Sequence, residues 1–342
     1  MRATQRYDNV VISGLAHVDA PYAMTSTDIE SRMSRTMERL GIEPGLLAGL
    51  SGIEERRVHD LGVMPSDGAA KAGEAALADS SVDREQIGVL LNTSVCRDYL
   101  EPSTACLVHS KMELPPTAVN FDIGNACLGF LNGMNTVAAM IERGEIDHGL
   151  VVDGETSRFT LDTTIERLAQ DDCTDAIFRE QFATLTLGSG AAAVVMSREG
   201  TSDQAHRYLG GLSRAATQHA NLCVGHVHEM KTDTSGLLMA GLQLMEETWK
   251  AALAAFEWDA QSIDTFAVHQ VSKVHTSSLA QTLGLEPAKI PVIYPGFGNI
   301  GPAGVPTVLS KAVEDGTVTS GRKVLLMGVG SGLNVALAEL EW

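Results

Sequence analysis

The sequence predicts an α/β fold built from two duplicated halves. Three observations carry that prediction. Strand-like apolar runs alternate with amphipathic helical stretches along the chain. One strand–turn–helix–strand unit recurs 174 residues later. No Pro-, Gly- or Ser-rich linker separates the two copies, so they are expected to pack together as one body.

Taken in order, short apolar runs mark strands at 9–13, 87–92, 118–122, 150–153 and 192–196. Further strands are expected at 265–269, 290–294, 324–329 and 335–340. Between them, apolar residues at helical spacing mark helices over 26–40, 65–78, 127–143, 237–256, 272–283 and 302–314. The repeat pairs residues 119–154 with 292–328. Each copy has a strand, a Gly-Asn turn, a helix rich in small residues, an E-x-G and an apolar strand ending in Gly. Two long copies are too few for a solenoid and imply a pseudo-twofold axis. Gly129, Gly133, Gly301, Ala303 and Gly304 suit two helices packed closely on that axis. The halves are drawn as residues 1–190 and 191–342.

Charge and cysteine usage exclude several classes. Forty-three acidic against 25 basic residues give a formal net charge of −18, the wrong sign for gripping a phosphate backbone. No nucleic acid partner is expected. Five cysteines, at 96, 106, 127, 173 and 223, form no C-x-x-C pair. Neither a zinc site nor a disulfide framework is expected, and a reducing cytoplasm fits. The N-terminal stretch has no apolar core of a signal peptide, and no run reaches the ~18 apolar residues of a membrane span.

Cys127 follows a strand and a Gly-Asn turn and opens the first repeated helix. A thiol at a helix N-terminus meets free N–H groups and the positive end of the dipole, which favour the nucleophilic thiolate. A buried structural cysteine is the competing reading. His269 ends an apolar strand, and Asn299 lies in the second Gly-Asn turn as the counterpart of Asn125. Pseudo-symmetry would gather Cys127, His269 and Asn299 in one pocket. His and Asn can both donate to a thioester oxygen as it becomes an enolate or oxyanion. The G-V-G-S-G-L run at 328–333 could add a backbone N–H there. His226 and His228 lack a third ligand at metal spacing and read as surface or pocket lining. No metal site is expected. Ser189 lacks a nucleophile-elbow context, and residues 170–175 read as a solvated acidic loop.

Together these motifs resemble the thiolase-fold condensing enzymes of the ketoacyl synthase III branch. The matches are A-C-L-G-F at 126–130, V-H-Q at 268–270, Gly298-Asn299, L-G-S-G-A at 187–191, S-G-I-E-E-R-R at 51–57 and the final G-x-G. The resemblance implies a five-layered αβαβα fold. It also implies a Cys127 acyl thioester, support of the enolate by His269 and Asn299, and an oxyanion hole from the backbone N–H groups of Cys127 and Ser331. The chain departs from the fatty-acid initiating members. His269-Gln270-Val271-Ser272 stands for their H-Q-A-N, and Leu46 and Leu50 stand where they grip coenzyme A with an aromatic residue and an arginine.

A second set of motifs is similar to the members that join two fatty acyl-CoA chains head to head. These are D-Y-L-E-P-S-T-A at 98–105, V-D-G-E-T at 152–156, I-E-R-G-E-I-D at 141–147, G-N-I-G-P-A at 298–303 and G-L-A-H-V-D-A-P at 14–21. In that branch the glutamate at the position of Glu101 reaches the active site of the partner subunit. The chemistry explains the need: two plain acyl thioesters carry no carboxylate to lose, so a base must remove the α-proton. The resemblance thus implies a non-decarboxylative Claisen condensation, with Glu101 as the base across a dimer interface. The product would be a 2-alkyl-3-keto acid for olefin, ketone or β-lactone biosynthesis. Walls for the acyl chains are sought in a helical insertion near 157–187 and in the Leu- and Met-rich run 237–245. No resident cofactor is expected; coenzyme A thioesters are the substrates, with Arg56, Arg57, Arg214 and Lys273 as candidates for a basic rim.

Three alternatives stay open at this level. They are malonyl-dependent 3-oxoacyl synthase III chemistry, a condensation like that of HMG-CoA synthase, and one subunit of a heterodimer with a paralogue in a β-lactone pathway. A homodimer is the expected assembly. A reductase, β-lactone synthetase or decarboxylase would act downstream.

Overall fold

The computed structural model describes residues 4–203 and 206–342; residues 1–3 and 204–205 of the two predicted halves lie outside it. The first part of the chain forms β1 (Thr4–Arg6), β2 (Val10–Asp19), β3 (Tyr22–Thr25), α1 (Ser26–Arg32), α2 (Ser34–Leu40), α3 (Leu46–Ser51) and β4 (Glu55–Val58). Next come α4 (Pro65–Ser80), β5 (Ile87–Asn92), α5 (Thr104–Lys111), β6 (Val119–Asp122), α6 (Gly129–Glu142) and β7 (His148–Glu155). Then follow α7 (Arg158–Leu168), α8 (Asp175–Gln181), β8 (Gly190–Arg198), β9 (His206–Ala215), β10 (Cys223–His226) and β11 (Glu229–Thr232). The chain ends with α9 (Thr234–Phe256), β12 (Thr265–Val268), α10 (Lys273–Leu283), α11 (Tyr294–Phe297), α12 (Gly304–Glu314), β13 (Lys323–Gly330) and β14 (Asn334–Glu341).

The strands run in the order β6-β5-β7-β8-β2-β9-β14-β13-β12, with β1 added to β9. The two halves meet in this sheet where Val11 lies opposite Arg207 and Ile12 opposite His206, and where β1 pairs with β9. Strand side chains alternate between faces, so each strand serves two layers. From β7, Leu150 and Val152 pack with Ala69, Ala72 and Ala76 of α4 and Val108 of α5 on one outer face. Val151 points the other way, into a central cluster with Leu131 and Met134 of α6 and Val308 of α12. Val324 and Leu326 of β13 enter that same cluster from the opposite half. Leu325 and Met327 face outward onto Trp249 of α9 and Leu279 of α10. The result is helices, sheet, helices, sheet, helices: five layers of a thiolase-like fold. Strands buried on both faces explain the near-continuous apolar runs of β7, β8 and β13.

Local sequence explains the details. The stretch expected as one helix over 26–40 is two, broken at Met33, whose side chain enters a fourth cluster with Ile29, Leu161, Ile165 and Phe178. The strand expected at 290–294 is absent. Pro291 lies inside this stretch and Pro295 follows it, and both lack the N–H groups a ladder needs. Instead Gln270 holds it: its Oε1 accepts from Ile293 N–H at 2.9 Å and Tyr294 N–H at 3.1 Å, and its Nε2 donates to Pro291 O at 2.6 Å. The strand β9 carries no sequence signal because Gly210 and Gly211 interrupt it. Gly211 is required by close approach: a β-carbon there would sit 1.7 Å from Leu337 O. The boundary at 190/191 falls at the start of β8. That strand pairs with β2 and β7, so hydrogen bonding groups residues 190–198 with the first half.

Candidate active site

Cys127 lies in the turn between β6 and α6. The chain reverses through Ala126, which takes φ +46°, a left-handed conformation that costs a non-glycine residue energy and marks functional turns. Leu128 N–H donates to Asn125 O at 3.0 Å and Gly129 N–H to Ala126 O at 3.1 Å, closing the turn against α6. The helix proper starts at Gly129, so Cys127 precedes it by two residues and does not open it. Gly129 and Gly133 let this end of α6 press onto β5 and β7: β-carbons there would meet Thr93 O at 2.6 Å and Val151 Cγ1 at 2.8 Å.

The end of β13 sets the other side. A β-carbon on Gly330 would lie 3.4 Å from Cys127 N, which places Gly330 and the following Ser331 under the nucleophile turn. Three residues earlier on the same strand, Met327 O accepts the His269 N–H at 2.8 Å. His269 is buried and immediately follows β12. Its Nδ1 would be 3.4 Å from a β-carbon on Gly304, the first residue of α12, and has no hydrogen-bond partner among the described residues. Asn299 sits just ahead of α12; its Oδ1 accepts Gly301 N–H at 3.1 Å and its backbone is clamped to Thr186 O and Gly188 N–H, both at 2.8 Å. Pseudo-symmetric turns, each at the start of a central helix, thus bring the Cys127, His269 and Asn299 segments to one end of the central layer.

Electrostatics correct one expectation. The thiol of Cys127 is not poised as a thiolate: burial, reinforced by Glu155, Cys223 and Asp153, pushes it up to about 12. Desolvation is the largest cause, ahead of the two nearby carboxyl groups. Burial and the neighbouring His275 push His269 down to about 3, so its imidazole is neutral. Both carboxylates lie in the V-D-G-E-T motif, where the sequence gives no sign of their burial. Asp153 is fully buried, accepts from Thr93 Oγ1 at 2.6 Å and is raised by burial. Burial raises Glu155 to about 7, against the lowering pull of its N–H donors. Cys223 lies on β10.

The other predicted residues fall in different places. Glu101 is exposed, on the loop between β5 and α5, next to Leu100, whose side chain is wholly exposed, and Tyr99. The loop is anchored: Asp98 accepts from Ser66 N–H and Oγ, and Arg97 pairs with Asp122. Arg56 is not a rim residue. It is fully buried, donates to Met24 O at 3.2 Å and Ser26 Oγ at 3.1 Å, and burial lowers it to about 10. The reason is strand alternation on β4: Arg56 turns inward and Arg57 outward. Arg57 is half-buried, with an Nε that has no partner among the described residues. Lys273 and Arg214 are exposed, Lys273 beside Gly52 at the start of α10 and Arg214 on β9. The insertion helices α7 and α8 pack with α1 and α2, and Leu244 and Met245 of α9 are buried against the outer face of the second half. His228 packs edge-on against Phe159 on the β10–β11 hairpin. Among the described residues no cluster of three His, Cys, Asp or Glu could hold a metal ion, and no helix is long and apolar enough to cross a membrane.

A cysteine on the first central turn, with histidine and asparagine segments from the second half, defines a condensing enzyme of the thiolase fold. Models of the 3-oxoacyl-[acyl-carrier-protein] synthase III family match residues 121–210 and, for its C-terminal part, 253–342, and the chain belongs to this family. Within it, the chain is 46% identical to the acyl-CoA:acyl-CoA alkyltransferase of Xanthomonas campestris over 98% of this chain and 99% of that one. It is 35% identical to the enzyme of the same description from Shewanella oneidensis, over 98% of this chain and all of the other. The crystal structure of cerulenin-bound X. campestris OleA superimposes with a TM-score of 0.97, at 46% identity and 99% coverage of both chains. That OleA has also been crystallised with a glutamate, a cysteine or a histidine substituted. Those three positions are separated by 26 and 142 residues, the separations of Glu101, Cys127 and His269.

Proposed function

We propose that this chain joins two long-chain fatty acyl-CoAs head to head by a non-decarboxylative Claisen condensation. Cys127 attacks the carbonyl of the first acyl-CoA and forms a thioester, and coenzyme A leaves with the thiol proton. Glu101 of the partner chain removes the α-proton of the second acyl-CoA. Its enolate, held by donors from His269 and Asn299, attacks the Cys127 thioester and expels the thiol. The backbone N–H groups of Cys127 and Ser331 hold the oxyanion. The product is a 2-alkyl-3-ketoacyl-CoA, which water cleaves to the 2-alkyl-3-keto acid, the precursor of an olefin, ketone or β-lactone. No CO2 is released in the condensation and no resident cofactor takes part. A neutral His269 suits donation to an anion in an apolar site, because it adds no charge that must itself be desolvated.

The observation that carries this reading is the placement of Glu101. It stands exposed on a loop anchored to Asp122 of β6, the edge strand of the sheet, which also exposes Val119 and Phe121. An acid there is of no use to its own core and is well placed for a second copy docked on that edge. The matching separations of Glu101, Cys127 and His269 in OleA support it further. A homodimer is therefore part of the proposal. Residues 1–190 supply Cys127 and Glu101, with the insertion near 157–187 as a tunnel wall; residues 191–342 supply His269 and Asn299. Arg57, Arg214 and Lys273 form the basic rim that draws anionic coenzyme A to an acidic protein. The five free cysteines suit a cytoplasmic enzyme.

The test is incubation with myristoyl-CoA alone. Wild type should form ketone after decarboxylation of the keto acid. Cys127→Ser should form none. Glu101→Ala should lose at least ~10²-fold in ketone formation while still releasing one coenzyme A per site in the acylation step. Unimpaired ketone synthesis by Glu101→Ala would refute the assignment of the base.

A further inference from the structure

The strand β7 holds the segment that leaves β5 at three successive residues. Asp153 Oδ2 accepts from Thr93 Oγ1 at 2.6 Å, and Gly154 N–H donates to Ser94 Oγ at 2.8 Å. Glu155 then takes the next two backbone donors: Val95 N–H on Oε1 at 2.6 Å and Cys96 N–H on Oε2 at 3.3 Å. Five residues further along the same loop stands Glu101. The other flank of Glu155 belongs to its own chain's site. A β-carbon on Gly301 would lie 3.5 Å from the Glu155 carboxyl carbon, and the Gly301 N–H is the one that Asn299 Oδ1 accepts. Glu155 also acts electrostatically on Cys127. The condensation cycle gives this buried carboxyl no proton to move, and burying it is costly unless its oxygens are used. Both are used, on one loop.

We infer that Glu155 is a positioning residue that sets how far the loop of its own chain carries Glu101 into the partner's site. The inference rests on the reading of Glu101 as a base delivered across a dimer. It predicts an effect in trans: losing Glu155 on one chain impairs condensation at the other chain's Cys127.

Mixed dimers test this directly. Two differently tagged chains are co-expressed and dimers carrying both tags are purified, with Cys127→Ser silencing one site. Glu155→Gln is placed either on the silenced chain or on the chain that keeps Cys127. Ketone formed from myristoyl-CoA per acylated Cys127 is measured. On the silenced chain the substitution should slow condensation about 10- to 100-fold, the usual consequence of a misplaced catalytic group. On the chain that keeps Cys127, where Glu155 also flanks the Gly301 turn, it should slow condensation clearly less than on the silenced chain. A loss confined to the Cys127 chain, an equal loss in both arrangements, or no loss in either overturns the inference. Glu101→Gln is carried through the same two arrangements. If its defect does not follow the silenced chain, the reading beneath fails; if it does and that of Glu155→Gln does not, the inference alone fails. Glu155→Asp, which keeps the charge on a shorter arm, repeats both arrangements should Glu155→Gln fold poorly.

Discussion

At the scale of single residues, the site is a set of groups held away from their ordinary ionisation. Burial pushes His269 to about 3 and His275 to about 4, and raises Glu155 to about 7. The two kinds of shift act oppositely on stability. A histidine lowered on folding binds fewer protons in the native state, so its contribution is lost as pH falls below the ordinary 6.5. A carboxyl raised on folding binds more protons in the native state, so stability falls as pH rises from 4.5 towards 7. Glu155→Gln removes only the second effect. Relative to wild type, the variant should therefore gain up to about 3 kcal/mol between pH 4.5 and pH 8. Urea unfolding across that range measures it; parallel curves would mean that Glu155 titrates like an exposed acid.

At the scale of elements, glycines decide how closely the central helix approaches the sheets. Gly129→Ala would drive a β-carbon to within 2.6 Å of Thr93 O at the start of α6. Overpacking against backbone should cost about 1–3 kcal/mol and disturb the Cys127 turn. Gly241→Ala is the contrast. In α9 the new methyl would meet nothing nearer than Val329 Cγ2 at 3.8 Å, and alanine is the better helix former. It should stabilise by about 0.5–1 kcal/mol. Thermal unfolding of the pair reads both signs; destabilisation by Gly241→Ala would show that the α9 face is tighter than its contacts indicate.

At the scale of the whole molecule, the open feature is the apolar strip at the free edge of β6. Val95, Tyr99, Leu100, Val119 and Phe121 are exposed within two neighbouring segments of the chain. Leu100 is the most exposed of them. Leu100→Asp together with Phe121→Asp should leave the five layers intact, since neither side chain belongs to a core cluster. The double variant should sediment as a 36.3 kDa monomer, keep its near-ultraviolet spectrum and lose ketone synthesis. A monomeric variant with wild-type ketone synthesis would remove the need for a glutamate from a second chain.

Much of this was legible in the sequence because it depends on short-range pattern. Alternating strands and helices, the 174-residue repeat and the order of Cys127, His269 and Asn299 are local or periodic features. They suffice for the fold class and for the segments that meet at the site. Other features depend on neighbours distant in the chain. Residues 290–294 look like a strand, but the side chain of Gln270, 23 positions before Ile293, pins them as a turn. Arg56 looks like a rim residue, but the pairing of β3 with β4 turns it into the protein. Cys127 looks like a ready thiolate, but burial first, and then the carboxyl groups brought by β7, push its thiol up. Composition and spacing alone determine which elements form and which chemical groups are present. Burial, charge state and the grip of Glu155 on the Glu101 loop are decided only by the tertiary structure, because desolvation and Coulomb forces act through space and not along the chain.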